Sequence, residues 1–478
     1  MPNPVIGSPQ PLRISVDDAD FADRTAQYVC DFFTSLQIRG GRPQPNQWTI
    51  LAAFLSYTGP QADDTAGTLE VLTFGLGNKC VSNPLRREQQ VVDMHAEVLA
   101  RRELEALLLE GIGASRTIEE SDASYNQRST FAAQTLLNLG SRRSDLYLYT
   151  SHMPCGSASN AAHLERLDKE DELMKRILDH GSSNSEVRGE SSFRADRELE
   201  VPPLTKKPSR GDAIPTSCYS CSDKLSRYQV LGLQGGRLSG CFEENGWPPL
   251  RMSGLIVGED FSDGRGLRML FGGTIVGHTE IPRSYSRMID GIREVFAEQC
   301  DPATALFCDT LVGVVRDFRI FQTTWIFAYS RSRVTALACD RAGLAQDAAT
   351  IFQALSEVER ARLRTLPLPI VRDTLVPQSP VSTFPLSCSW RVGQCVEILG
   401  PTGVLNGSKR SKTTGDFEKT SRLCRKRLQE AYDEIIISGD GAAAHGKGKG
   451  SPMWRLVSSR MEARGPWKDW HRSGVCDL

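Results

Sequence analysis

The feature that most constrains the fold is a strand-then-helix order that occurs twice, each time with a potential metal ligand near the start of the helix. In the first copy, residues 70–74 read as a strand, and apolar spacing predicts a helix that starts with the run DMHAEV at residues 93–98. In the second copy, residues 145–150 read as a strand and lead into Pro154-Cys155. Two helix starts at one edge of a sheet can face each other. The pattern therefore predicts an α/β fold that brings His95 and Cys155 together.

The spacing of His95 and Glu97 favours two different roles for these side chains. Asp93 is a good N-cap residue type, so we expect the helix to start there with His95 and Glu97 in its first turn. Residues two apart do not share a helix face, so one can hold a metal while the other reaches past it to a substrate. His-x-Glu is the first half of the zinc deaminase signature, in which the Glu is not a ligand.

A catalytic zinc keeps three protein ligands and one open position for water, so His95 needs two partners. Cys155 is one candidate, because a thiol at a helix N-terminus ionises more easily. The signature places a second Cys three residues later, where this chain has Ala158. The third ligand must then come from Cys218 or Cys221, which are spaced C-x-x-C.

A structural zinc site is the alternative to a catalytic one. His152, Cys155, Cys218 and Cys221 offer four ligands, and a closed set of four is typical of structural zinc. His95 and Glu97 would then have no role in metal chemistry.

Composition bounds the class of protein. With 478 residues, 40% hydrophobic and 24% charged, the chain has the composition of a globular enzyme. The net charge of −1 excludes a general polycation, so any nucleic-acid binding must use local basic patches. Thirteen cysteines without a secretory signal favour reduced thiols and an intracellular protein, nuclear or cytoplasmic. No run of about 18 apolar residues predicts a membrane span.

The chain reads as one domain over residues 1–478, interrupted by polar segments. Residues 112–143 and 166–213 are rich in charged and small polar residues and are predicted to be insertions, the first with one short helix. Residues 409–430 are predicted to form a basic helix, and residues 438–452 a flexible stretch.

A third motif identifies a family. The segment Ser220–Gly235, SCSDKLSRYQVLGLQG, resembles the third motif of the adenosine deaminases acting on RNA and their tRNA-editing relatives. His95-Ala96-Glu97 and Pro154-Cys155-Gly156 supply the other two motifs in the family's order. The resemblance extends from about residue 20 to the C-terminus, outside the two insertions.

The resemblance implies a fold and a metal site. The expected fold is a cytidine-deaminase-like three-layer α/β/α arrangement with a central mixed sheet, enlarged by C-terminal elements. The implied zinc ligands are His95, Cys155 and Cys221, with Glu97 as proton shuttle and Cys218 as a bystander.

The resemblance also implies a buried inositol hexakisphosphate. A hydrogen-bonded relay of Asp93 and Lys224 would tie this polyanion to the zinc site. For the basic residues near the C-terminus, a solvated face that meets RNA phosphates is the alternative. The implied polyanion ligands are Arg101, Arg102, Lys224, Arg227, Lys409, Lys426 and Lys468.

The implied reaction is hydrolytic deamination of adenosine to inosine in tRNA. The chain has no room for double-stranded-RNA-binding domains before Asp93, which favours the tRNA branch of the family. The family member without double-stranded-RNA-binding domains deaminates the adenosine 3′ of the anticodon in alanine tRNA, and the resemblance leads us to expect that activity here. Asn78 and Lys79 match family positions near the substrate, although an ordinary exposed turn is the other interpretation.

Overall fold

The computed structural model describes most of the N-terminal half and separate parts of the C-terminal half. The described segments are residues 9–36, 38–60, 64–82, 84–85, 87–116, 123–156, 158–159, 218–259, 317–341, 348–367, 381–437 and 451–463, together with residues 5–6, 207, 216, 274–275 and 371.

Fifteen strands lie in these segments. They are β1 Val5–Ile6, β2 Leu12–Ile14, β3 Gln47–Trp48, β4 Leu51–Thr58, β5 Gly67–Leu76, β6 Asn78–Cys80, β7 Asp93–His95, β8 Asp145–His152, β9 Gly254–Glu259, β10 Thr274–Ile275, β11 Arg319–Gln322, β12 Ser382–Thr383, β13 Ser387–Arg391, β14 Gln394–Cys395 and β15 Glu397–Leu399.

Ten helices lie in the same segments. They are α1 Phe21–Ser35, α2 Ala96–Arg116, α3 Ala123–Gly140, α4 Cys221–Leu231, α5 Gly235–Glu244, α6 Arg331–Arg341, α7 Ala348–Ala354, α8 Glu357–Arg364, α9 Arg425–Ile437 and α10 Pro452–Ala463.

A mixed sheet forms the centre of the fold. Its order within the described residues is β10-β11-β9-β8-β4-β5-β13-β15, with β2 paired to β5. Strands β8, β9, β11 and β10 run parallel, whereas β4, β5 and β13 pair antiparallel. The parallel strands β8, β9 and β11 therefore end at the same edge of the sheet, and β8 leads directly to Cys155.

Helices cover both faces of this sheet. Alternate residues of β4 enter two different clusters of buried side chains: Ala52 and Phe54 pack with α2, whereas Ala53 and Leu55 pack with α1. This alternation is what a strand buried on both faces requires. Gly75 of β5 faces the start of α2, where an added Cβ would overlap the carbonyl oxygen of Ala96. The predicted α/β fold with a central mixed sheet is confirmed.

The helix predicted to start at Asp93 starts three residues later, at Ala96. Asp93 is not an N-cap, because residues 93–95 form β7 and pair antiparallel with β6, which satisfies their backbone groups as a ladder. Helix α2 begins at Ala96 and continues to Arg116, into the predicted insertion 112–143. His95 therefore lies at the end of a strand and Glu97 in the first helical turn.

Two other predicted segments also differ. Residues 123–140 of the predicted insertion 112–143 form α3, and Ala132, Leu136 and Leu139 are buried in the core against α2. Residues 409–424 are not helical; turns close there, with Ser411 donating to the carbonyl of Asp416, and helix α9 starts only at Arg425. The insertion 166–213 and the stretch 438–452 lie outside the described residues, apart from Lys207 and residues 451–452.

Within the described residues, no helix combines the length and the apolar character that crossing a membrane requires.

Candidate active site

His95 and Glu97 approach the site from two different elements. His95 ends β7, where it lies opposite Asn78 of β6, and its amide donates to Asp93 Oδ1 at 3.1 Å. The next residue, Ala96, begins α2 and donates to the carbonyl of Gly77 at 3.0 Å. This junction between strand and helix turns the two side chains apart and gives each its own approach to the site.

The two cysteines come from the end of β8 and the start of α4. Ser220 caps α4 by accepting from the amide of Asp223, so Cys221 is the first helical residue. The Cys221 amide donates to the sulfur of Cys155 at 3.4 Å, and the Ser222 amide to the Cys155 carbonyl at 3.0 Å. Gly156 has φ 104°, and a Cβ there would overlap the Ser220 side chain. The tight turn after Cys155 therefore requires glycine.

The three predicted ligands converge. The Nδ1 atom of His95 lies 3.6 Å from the sulfur of Cys155 and 3.6 Å from that of Cys221. Zinc bonds of about 2.3 Å to sulfur and about 2.0 Å to nitrogen give a tetrahedral edge of about 3.5 Å between those atoms. All three ligand atoms lie within 4.8 Å of one another. The donor set and its spacing fit a zinc ion with three protein ligands.

The alternative four-ligand site is not what the described residues form. Cys218 belongs to a second group of possible ligands, with Cys80 and Asp93, and His152 belongs to neither group. Although Cys218 and Cys221 are spaced C-x-x-C, their sulfurs lie in different groups. Cys221 is the first residue of α4, whereas Cys218 lies before that helix.

The two thiols interact closely. The pKa of the Cys155 thiol lies well below its ordinary value because Cys221 hydrogen-bonds its sulfur and because Lys207 and His95 add positive charge. Burial and the neighbouring Cys155 thiolate raise the pKa of Cys221. A bound dication would stabilise both groups as thiolates.

Glu97 lies beside these ligands in a buried position. The Cys221 thiol donates to its Oε2 atom at 3.2 Å, and its Oε1 atom is buried without a partner among the described residues. Burial raises the pKa of this carboxyl above its ordinary value. A carboxyl with a raised pKa and one free oxygen is suited to take up and return a proton.

A buried ion-pair relay lies behind Cys221. Lys224 Nζ contacts Asp93 Oδ2 at 2.9 Å, as predicted for these two residues. Lys207 Nζ contacts both Asp93 oxygens at 3.0 and 2.8 Å and also Cys221 Sγ at 3.2 Å. Burial opposes ionisation of Asp93, yet the two ammonium groups lower its pKa well below its ordinary value. The relay thus places positive charge next to the sulfur of Cys221.

Sequence reasoning missed Lys207. It lies in the predicted insertion 166–213, between charged residues with no hydrophobic periodicity. Its backbone is held in place by Cys218 and Thr216: the Lys207 amide donates to the Cys218 carbonyl, and Thr216 donates back to the Lys207 carbonyl, both at 2.8 Å. The proximity of Lys207 to Cys218 exists only in the folded chain, so no local signal could have identified it.

Four of the predicted polyanion ligands form a buried basic cluster. Arg101, Arg102, Lys224 and Arg227 are at most 5% exposed. Arg102 donates to the carbonyl of Leu423 at 2.7 Å, and Arg227 to Ser458 Oγ at 3.2 Å.

A second part of this region, here called the Glu105 cluster, consists of Glu105, Arg101, Arg237 and Trp454. Glu105 pairs with Arg101 at 2.8 Å and with Arg237 at 2.7 Å. The Trp454 ring lies next to Gly236, the neighbour of Arg237. Arg237 Nη1 and Trp454 Nε1 are buried donors without a partner among the described residues. Unpaired donors in a cationic region fit a buried anion that supplies acceptors.

The C-terminal basic residues do not join this cluster. Lys409 and Lys426 are exposed, and Lys426 pairs at 3.9 Å with Glu430 on the same helix. Their exposure gives no support to ligation of a buried polyanion, which stays a prediction for these two lysines. Their exposure agrees with the alternative of a solvated basic face. Lys468 lies outside the described residues.

The predicted substrate residues, Asn78 and Lys79, lie on β6, which pairs with the strand that ends at the candidate ligand His95. Both polar atoms of the Asn78 amide are buried and without a partner among the described residues, directly across the strand pair from His95. Lys79 donates to Thr383 Oγ1 of β12. The alternative of an ordinary exposed turn is wrong, because both residues are half-buried and in a strand.

Comparison with known proteins agrees with this geometry. Residues 73–303, which include all three ligands, match the model of the adenosine-deaminase (editase) domain. The chain is 32% identical to human tRNA-specific adenosine deaminase 1 over 203 residues, which cover 39% of this chain and 38% of that protein. It is 25% identical to the mouse protein of the same name over 378 residues, covering 58% and 72%.

An editase shows a similar degree of likeness. Mouse double-stranded RNA-specific editase B2 is 25% identical over 321 residues, covering 64% of this chain and 40% of that protein. The chain thus spans less than two fifths of the length of the human relative. Residues 73–303 of this chain are thus similar to an adenosine-deaminase (editase) domain.

Proposed function

We propose that the protein is a zinc-dependent hydrolase that deaminates adenosine to inosine in tRNA. The observation that carries the proposal is the convergence of His95, Cys155 and Cys221, at the spacing of a zinc tetrahedron, beside the buried carboxyl of Glu97. Two sulfurs and one imidazole leave a fourth position open, which a structural zinc site would fill.

The chain's own residues supply the proton transfers. When bound, zinc would lower the pKa of a water molecule in the fourth position toward neutrality. Glu97 accepts one proton of the attacking water through its free Oε1 and delivers it to the adenine ring nitrogen. It then takes the proton of the hydroxyl now on C6 and delivers it to the amine, so that the C–N bond breaks and ammonia leaves. The relay of Asp93, Lys207 and Lys224 holds an ammonium group against the Cys221 sulfur, which fixes the orientation of this side chain and would favour its thiolate once a dication is bound.

The substrate must place an unstacked adenine above this site. A base within a helix hides C6, so the nucleotide has to be flipped out of its stack. Asn78 offers a donor and an acceptor that no described residue uses, on the strand next to His95. We assign Asn78 to a hydrogen bond with the flipped nucleotide and Lys79 to the adjacent backbone phosphate.

The choice of tRNA rests on two supports. Human tRNA-specific adenosine deaminase 1 is 32% identical to this chain, whereas the mouse editase is 25% identical. The resemblance described from the sequence points to the adenosine 3′ of the anticodon in alanine tRNA. Exposed Lys409 and Lys426 are available to bind tRNA phosphates.

The same proposal includes a structural polyanion. Arg101, Arg102, Lys224 and Arg227 would hold inositol hexakisphosphate, and Arg237 Nη1 would donate to it as well. Phosphorus analysis of the purified and then denatured protein tests this part. We expect about six phosphorus atoms per chain after removal of nucleic acid, and their absence would reject the polyanion while leaving the zinc site untouched.

The test of the reaction is Glu97→Gln, assayed by inosine formation in alanine tRNA transcripts. We expect a loss of at least about 10³-fold in kcat with zinc content and the circular dichroism spectrum unchanged. Glu110→Gln, on the same helix but paired with Arg391 away from the site, is the matched control and should keep its activity. Unchanged inosine formation in Glu97→Gln would reject the mechanism. A wild-type protein that binds zinc and tRNA without forming inosine would indicate a non-catalytic RNA-binding protein.

A further inference from the structure

A second pair of thiols lies close to the zinc ligands and takes no part in the proposed reaction. The sulfurs of Cys80 and Cys218 and a carboxylate oxygen of Asp93 lie within 4.8 Å of one another. Cys218 is fully buried, whereas Cys80 is half-buried and therefore accessible to a small oxidant. The Cys80 thiol donates to Asp93 Oδ1 at 3.5 Å.

The backbone on both sides of this pair is fixed. Cys80 ends β6 directly opposite Asp93, and the following residue, Val81, donates to the carbonyl of Val92 at 2.8 Å. The Cys218 amide donates to Thr216 Oγ1 at 3.1 Å, and its carbonyl accepts from Lys207. The two thiols are thus held next to each other by hydrogen-bonded segments far apart in sequence. Their sulfurs lie within 4.8 Å and must approach to about 2.05 Å to form a bond.

A metal ion is a poor occupant of this group. The only carboxylate in it, Asp93, is already paired with the ammonium groups of Lys207 and Lys224 at 2.8 and 2.9 Å. A dication bound by Cys80, Cys218 and Asp93 would lie next to both positive charges, in a buried place where repulsion is little screened. Two adjacent thiols without a metal instead favour covalent pairing.

We propose that Cys80 and Cys218 are a reversible modification site, at which a hydroperoxide joins them in a disulfide. The accessible sulfur of Cys80 attacks a peroxide oxygen, the O–O bond breaks, and water leaves with the thiol proton, so that Cys80 becomes a sulfenic acid. The sulfur of Cys218 then attacks the Cys80 sulfur, the S–O bond breaks, and a second water leaves. Two thiols lose two electrons in total, and the hydroperoxide, here hydrogen peroxide, is reduced to two molecules of water.

The bond would link two parts of the candidate active site. Cys80 lies two residues after Asn78 on the strand that faces His95, and Cys218 lies three residues before Cys221. The disulfide withdraws the Cys80 thiol from Asp93 and ties β6 to the segment that positions Lys207. Formation of the bond is read from masses, so its failure is distinguishable from a failure of the proposed deamination.

The experiment uses the full-length, zinc-loaded chain treated with hydrogen peroxide, alkylated, and digested without reduction. We expect a linked pair of peptides that contain Cys80 and Cys218, with a mass loss of about 2 Da that dithiothreitol reverses. Cys395→Ser removes a remote cysteine that is also half-buried and should leave the linked pair unchanged, whereas Cys80→Ser and Cys218→Ser should abolish it.

Two results would overturn the proposal. One is full alkylation of both Cys80 and Cys218 after peroxide treatment of the wild-type chain, which does not depend on any variant. The other is a second zinc per chain that is lost in Cys218→Ser, because the two thiols would then be metal ligands.

Discussion

Two buried ion-pair networks lie on the same helix, α2, and differ in whether they are complete. The Glu103 network consists of Glu103, Arg391, Arg422, Glu110 and Glu397. Glu103 pairs with Arg391 at 2.9 Å and with Arg422 at 2.6 Å, and the remaining guanidinium donors reach Glu110 and the carbonyl of Cys395. Each guanidinium nitrogen of these two arginines has an acceptor.

The Glu105 cluster is built from the same residue types but stays incomplete. Glu105 pairs with Arg101 and Arg237, yet Arg237 Nη1 and Trp454 Nε1 have no acceptor among the described residues. A saturated network fixes the packing of α2 against β13 and the segment before α9, and has no donor left for a ligand. An unsaturated network is where an anion can contribute to stability.

The largest expected effect comes from removing the carboxylates of Glu103 and Glu105 in turn. Glu103→Ala and Glu105→Ala each leave two buried guanidiniums without their carboxylate, which costs about 3–5 kcal/mol in the free energy of unfolding. Added inositol hexakisphosphate should restore part of the loss in Glu105→Ala and none in Glu103→Ala. Urea unfolding with and without the polyanion measures the difference, and equal responses would show that the networks do not differ in ligand binding.

Neither network could be predicted from the sequence, although the three candidate metal ligands that the fold brings together could. His95, Glu97 and Cys155 stand in local motifs with a fixed chemical meaning, and the apolar runs of β4, β5 and β8 reveal the strands that carry them. Glu103 and Glu105 have no such motif. Their partners, Arg391 and Arg237, are 288 and 132 residues away, so their burial depends on tertiary packing.

Local signals were also outweighed by tertiary pairing at the start of α2. Asp93 has the right residue type for an N-cap, but its strand pairs with β6 and its carboxylate faces two lysines, so the helix begins three residues later. The charged residues of segment 409–424 suggested a helix. Instead, the chain turns at Gly407, just before this segment, and at Gly415 within it, and both glycines have positive φ.

The second prediction concerns the effect of the relay of Asp93, Lys207 and Lys224 on zinc affinity. Lys207→Met removes the ammonium that contacts both Asp93 and Cys221 while keeping the length of the side chain. Because groups that orient a metal ligand typically contribute 10–100-fold to metal affinity, we expect zinc to bind about 10–100-fold more weakly. Competition with a chromogenic zinc chelator measures this, with Lys426→Met as the surface control. Undiminished zinc affinity in Lys207→Met would contradict the relay.

The third prediction uses pH. Burial raises the pKa of Glu103 and Glu105, but the paired guanidiniums lower the pKa by more than burial raises it. Each carboxyl therefore has a pKa below its ordinary value of 4.5 in the folded chain. A lowered folded pKa gives stability that is fully present above the unfolded pKa and is lost as the pH falls through the folded one. The free energy of unfolding should therefore fall between pH 5 and about pH 3. Glu105→Gln should flatten that decline, and an unchanged slope would refute the assignment.

The smallest effect concerns the exposed basic face. Lys426 and Glu430 are both about half exposed and 3.9 Å apart, so Lys426→Ala should change stability by less than about 1 kcal/mol. If Lys426 contacts a tRNA phosphate, the logarithmic salt dependence of tRNA binding should fall by about one unit. Filter binding over a range of salt concentrations tests this, and a slope equal to that of wild type would remove Lys426 from the interface.

The central claim is that His95, Cys155 and Cys221 hold one zinc ion and leave its fourth position open next to Glu97. X-ray absorption at the zinc edge of the purified protein tests it most directly. We expect two sulfur neighbours at about 2.3 Å and two lighter neighbours, one imidazole nitrogen and one water oxygen, at about 2.0 Å. Three or four sulfur neighbours, or a shell without sulfur, would contradict it.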